Sequence, residues 1–202
     1  MKLSRAISVL FLLMSSVSTI YAGGPFYAYP QTGQNACYGA TANCAGTGQD
    51  GELLKGAAIP NPRFTENLTG GVLDGTVTDN LTGLIWMKNA NCFGGNRWDV
   101  AFAKVQGLAS GACGLADGSL AGSWRLPSVI ELESLVDLSR ALPGAPFTGV
   151  KPSPYWTSTV SSQIKSQALS MNLSNGGTVE SSQITDSAAI SSYYVWPVRG
   201  GQ

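Results

Sequence analysis

The chain has 202 residues, with 12 Lys/Arg, 12 Asp/Glu and no His, and charged residues make up only 12% of it, about half the usual share. That balance excludes the basic face a nucleic-acid partner needs, and the lack of His removes the usual general base and the commonest metal ligand. The length fits one domain of ordinary size, large enough to bury a real hydrophobic core.

Lys2 and Arg5 precede a mostly apolar run from Ala6 to Ile20, centred on Val9–Met14, and Ala22 supplies the small residue before a cut. This is the pattern of a cleaved signal peptide over residues 1–22. The run is too short and too diluted by Ser and Thr for a membrane span. No Cys follows it, so no lipid anchor is expected. Export implies an oxidising compartment: secreted, periplasmic or at the cell surface. Losing Lys2 and Arg5 leaves 10 basic and 12 acidic residues, a net charge of −2. Solubility then rests on Ser, Thr, Asn, Gln and Gly, which suits hydrogen bonding to neutral polar ligands.

Residues 23–63 are rich in Gly, Ala, Gln, Asn and Thr and show no lasting period. They read as an irregular N-terminal segment pinned by a small disulfide loop, ahead of a domain over 64–202. The cysteines are Cys37, Cys44, Cys92 and Cys113, and an even count in an exported chain implies disulfides. Three pairings are possible; the sequentially local one, Cys37–Cys44 and Cys92–Cys113, is expected. Zinc is a poor alternative, with no Cys-x-x-Cys and no His.

From Phe64 the grammar is that of hairpins. Turns at Asn67–Gly71, Asp74-Gly75 and Leu81–Gly83 punctuate a strand at Thr76–Asp79 and a buried strand at Leu84–Met87. Asn96–Ser110 has a helical apolar face of Trp98, Ala101, Phe102, Val105, Leu108 and Ala109. Asn96 is the expected cap and Gly111 the stop. Cys92 and Cys113 flank this helix. A helix of that length spans about 20 Å, so the flanking chain must fold back for their bond to close. A second helix is expected over Ser128–Ser139, with a Ser128/Glu131 capping box and a stripe of Val129, Leu132, Leu135 and Val136. After Pro154 the period becomes two. Tyr155–Val160 is a strand, Leu169, Met171 and Leu173 alternate with polar residues, and Ser174–Gly177 is a hairpin turn. Tyr193–Arg199 closes the domain with Tyr194, Trp196 and Val198 on one face. Pro197 marks that strand as an edge or a bulge.

The chemistry-bearing residues mostly have structural readings. No motif marks a nucleophile, and Glu131 and Glu133, two apart on a helix, point to different faces; no catalytic residue and no cofactor is expected. Asp74, Asp79 and Asn80 lack the spacing of a calcium loop, so they read as turn residues and no metal is expected. Trp86, Trp98, Trp124, Trp156 and Trp196 read mainly as core, whereas Tyr155 and Tyr193 are the better surface candidates. Arg125 reads as a structural ion pair with Glu131 or Asp137. Asn67, Asn80 and Asn172 match the Asn-x-Ser/Thr glycosylation pattern.

Four stretches together carry a resemblance. These are Gly75–Trp86, the Trp124-Arg125-Leu126-Pro127…Glu131-Leu132 signature, Tyr155–Thr159, and the ending Tyr194–Arg199. In this order they resemble a bacterial domain family named after the C-terminal domain of Lcl, a collagen-like surface adhesin. The family looks related to the C-type-lectin-like fold. The resemblance therefore implies an α+β domain with two helices packed on a short, curved, mostly antiparallel sheet and with its chain ends close together. Many relatives carry aromatics around the Asn-Gly turn; here those stretches are Ala168–Leu173 and Thr178–Ser182, without aromatics. The implied function is a non-enzymatic, secreted or surface-associated binding module for carbohydrate or another extracellular ligand. Gln163, Asn172, Asn175 and Tyr193 are the candidate contacts. The alternative is a structural or assembly component of the cell envelope or a surface appendage, with a surface-protein partner. Oligomerisation is compatible with either.

Overall fold

The structure, a computed structural model, describes residues 30–39, 44–139, 142–182 and 192–200, without the side chains of 179–182. The expected signal peptide lies outside these residues. Nine strands and three short helices are described, an α+β arrangement. No helix among the described residues is long and apolar enough to cross a membrane.

Strands β1 (Phe64–Thr69) and β2 (Val72–Asp79) form a hairpin across Gly70-Gly71. Both glycines have positive φ, the conformation that glycine tolerates best. Strand β3 (Ile85–Met87) pairs with β2 and with β9 (Val198–Arg199), giving an antiparallel sheet in the order β1-β2-β3-β9. A second sheet has the order β4-β8-β5-β6-β7, formed by Gly95–Asn96, Tyr193–Tyr194, Pro154–Val160, Gln167–Asn172 and Gly177–Ser182. Only its β5/β8 pair is parallel. The expectation of one short sheet is therefore corrected to two sheets, mostly antiparallel.

The corrected feature is the C-terminal stretch. In place of one strand from Tyr193 to Arg199, β8 and β9 belong to different sheets. Val195-Trp196-Pro197 crosses between them. Val195, Trp196 and Val198 are all buried, whereas Tyr194 is only half-buried. Pro197 has no N–H to give a ladder, but its carbonyl accepts from Met87 N at 3.1 Å.

The helices are α1 (Asp50–Leu53), α2 (Trp98–Gln106) and α3 (Val129–Glu133). The latter two are shorter than their periodicity suggests. Gly107, rather than Gly111, ends α2, and Arg97, rather than Asn96, precedes it. The Asn96 amide is occupied elsewhere: its Nδ2 donates to the Phe93 and Gly94 carbonyls and its Oδ1 accepts from Lys104. Ala101, Val105 and Leu108 form the buried line, and Phe102, a step aside, is 40% exposed and stacks on half-buried Trp98. The Ser128/Glu131 capping box is present at α3. Its helix stops at Glu133, and Asp137 turns the following chain by accepting from Ser139.

Trp86, Trp124, Trp156 and Trp196 are fully buried. Trp196 sits edge-on to Trp86 and Phe147, with centroids 5.5 and 4.9 Å away. Its indole N–H donates to the Met87 carbonyl, and those of Trp124 and Trp156 reach Ser119 Oγ and the Asn96 carbonyl. Three of the four rings thus enter the core with their polar handles paired, whereas the Trp86 indole nitrogen is buried without a partner among the described residues. Tyr155, expected at the surface, is completely buried. It lies on the middle strand of its sheet, against Tyr194 and Trp196. Burial pushes its phenol up to about 12, although its oxygen accepts a hydrogen bond from Lys151 N. The expected period of β6 also blurs: Ala168, Ser170 and Met171 are buried and Leu169 is half-buried, because α3 packs on a strand already flanked by β5 and β7.

Both local disulfides form, Cys37–Cys44 and Cys92–Cys113, with Cα separations of 5.4 and 5.7 Å. The second closes because α2 has nine residues and the chain after it doubles back, with Gly111 N bonding to the Leu115 carbonyl.

Candidate functional site

The Trp124–Leu132 signature builds a rigid corner. Arg125 exchanges both backbone hydrogen bonds with Val198, at 3.0 Å each, so the last strand is held beside the entrance to α3. Its guanidinium forks onto Glu131, with Nη1 to Oε2 at 2.7 Å and Nη2 to Oε1 at 2.6 Å, and it also donates to the Gly200 carbonyl. This is the bidentate geometry that favours arginine over lysine. The second duty of Glu131 is to accept from Ser128 N at 2.7 Å. Burial pushes the Glu131 carboxyl up, but the Arg125 fork and the Ser128 N–H outweigh it and hold the group below its ordinary value of 4.5.

A groove of about 620 Å³ opens beside this corner, within the range of ligand sites. Three parts of the chain wall it. Ser128, Ile130, Glu133, Ser134, Val136 and Leu138 come from α3 and the turns after it; Asn175 and Gly176 come from the β6–β7 turn; Pro30, Gln31 and Thr32 come from the N-terminal segment. Leu84 and Thr82 complete it. Ile130 and Leu138 are 56% and 55% exposed.

The N-terminal wall is held by specific bonds. Leu138 N donates to the Thr32 carbonyl at 2.8 Å, and Gln31 N to the Ala57 carbonyl at 3.1 Å. The Gln31 side chain donates to the Leu54 carbonyl, and the Thr32 hydroxyl reaches the Asp50 carboxylate. A Cβ at Gly33 would lie 2.1 Å from the Asp137 carboxylate, and Gly33 has φ +77, so only glycine lets the segment approach this closely.

Of the sequence-expected contacts, Asn172 and Asn175 share the β6–β7 turn, with Asn175 N donating to the Asn172 carbonyl at 3.3 Å. Asn175 lines the groove; its Oδ1 accepts from Gly177 N at 2.8 Å. Asn172 serves the turn behind it, accepting from Ser174 N and Oγ. Gln163 is exposed on the β5–β6 connection. Tyr193 lies on β8, on the far side of β5 from β6, half-buried against Trp156 at 4.7 Å. Sequence reasoning missed Ile130, Leu138 and the N-terminal wall. The available signal was Ile130 and Leu138, two aliphatic residues off the buried stripe of the expected Ser128–Ser139 helix.

Among the described residues no three His, Cys, Asp or Glu side chains cluster as metal ligands would. A comparison with curated proteins finds no match. A family model described as the Lcl C-terminal domain matches residues 75–199, more than half of the chain, and the chain belongs to that family.

Proposed function

We propose that this chain is a non-enzymatic binding module acting outside the cytoplasm, secreted or held at the cell surface, with a C-type-lectin-like fold. The observation that carries this reading is the open groove beside the family's Arg-Leu-Pro corner, where Glu131 is spent on Arg125 and the α3 cap. Two disulfides and a surface poor in charge suit an extracytoplasmic setting. Carbohydrate is the ligand class to which the family resemblance points, with contacts from Gln163, Asn172, Asn175 and Tyr193. A glycan array with multivalent presentation, on oxidised protein of verified fold, tests it. Reproducible binding to one sugar class, weakened by Asn175→Ala, is the expected result; uniformly blank arrays would sink the carbohydrate reading.

One observation favours the second reading, an envelope or appendage component with a protein partner. Among the described residues the groove is walled by Pro30, Leu84, Ile130, Val136 and Leu138 and by no aromatic side chain. That lining offers a sugar ring no stacking face.

A further inference from the structure

The polar groups around the groove narrow its ligand. Most already have partners inside the protein: the Thr82 hydroxyl bonds to Asp79, Ser134 Oγ donates to the Glu131 carbonyl, and Ser128 Oγ accepts from Glu131 N. Satisfied hydroxyls add little to a ligand that must be recognised through many hydrogen bonds. The charged group left over is Glu133, which is exposed, lines the groove and makes no ion pair among the described residues. Its neighbour Glu131 is neutralised by Arg125. The groove therefore presents aliphatic walls, one unbalanced negative charge, and the amide Nδ2 of Asn175, which has no hydrogen bond among the described residues.

We propose that this groove binds a segment of a partner protein in which aliphatic side chains stand beside a Lys or Arg. The aliphatic groups cover Ile130 and Leu138, and the cation pairs with Glu133. A peptide carbonyl can accept from Asn175 Nδ2. Charge complementarity selects the basic residue, and described walls that are aliphatic rather than aromatic turn the site from sugar toward peptide. The inference rests on the binding-module reading and names the ligand class of its groove.

The test is a phage-displayed heptapeptide library panned on the full oxidised chain, run beside the glycan array on the same preparation. Selected peptides should place Lys or Arg within two positions of Leu, Ile, Val or Met. The affinity of the best synthetic peptide should fall about five- to tenfold with Glu133→Gln and at least as far with Ile130→Asp. Both substitutions are at exposed positions, and near-UV circular dichroism verifies their folds. Peptides without a basic residue, or an affinity unmoved by both substitutions, would overturn the inference. So would self-association of the chain in sedimentation that Ile130→Asp abolishes, because the occupant would then be a second copy. No peptide binder with a positive glycan array removes the peptide inference and leaves the binding-module reading standing. Silence in both assays removes both.

Discussion

At the residue scale, the most committed charge in the molecule is Asp79. It is fully buried, pairs with Arg63 at 3.1 Å, and accepts from Leu81 N and the Thr82 hydroxyl. Arg63 also donates to the Ser134 carbonyl, so one guanidinium joins the start of β1, the turn after β2 and the end of α3. Removing it strands a buried carboxylate, and Arg63→Ala should cost about 3 kcal/mol, read as a lower denaturation midpoint in urea. Glu131 gives a pH signature. Its carboxyl is held below the ordinary 4.5 in the folded protein, so its contribution is complete above that value and is lost as pH falls through the lower folded value. Wild-type stability should therefore drop more steeply below pH 4.5 than that of Glu131→Gln, when unfolding is followed across an acid series. Equal acid limbs would show that the Arg125 fork adds nothing.

At the element scale, the two disulfides do different work. Cys92–Cys113 closes a separation of 21 residues inside the family-matched domain, while Cys37–Cys44 spans 7 in the N-terminal segment. Chain entropy makes the longer loop the larger contributor, about 3 kcal/mol. Replacing Cys92 and Cys113 by Ala should lower the thermal midpoint by several degrees more than replacing Cys37 and Cys44. Elements whose signals are local were legible in the sequence: the Ser128/Glu131 cap, the β6–β7 hairpin, the buried tryptophans and both disulfides. Those decided by tertiary contact were not. Tyr155 reads as an outward residue by alternation, but its strand is central in a sheet covered on both sides, so alternation has no meaning there. Phe102 fits the helical period, yet α2 buries a narrower stripe than the period allows.

At the scale of the whole molecule, the Val195–Pro197 crossing sews the two sheets together through Trp196, the centre of the aromatic cluster. Sheets joined by one buried strap and a shared core should unfold together. Far-ultraviolet dichroism and tryptophan fluorescence should then give superimposable transitions; two separated midpoints would mean that the sheets are independent units. The groove was the least legible feature. Asn175 was found from its turn, but the groove's opposite wall comes from residues 30–32, more than 140 positions away in the chain, and no local pattern announces a meeting over that span. That wall also lies outside the matched stretch of 75–199. The Arg125 corner lies inside that stretch and the N-terminal segment does not, so only one wall of the groove belongs to the shared architecture. On the proposed binding-module reading, exchange of the N-terminal wall changes the ligand while the family-matched core stays as it is. Replacing residues 30–62 by the corresponding segment of a relative should preserve the melting behaviour while rewriting the peptides the chain selects.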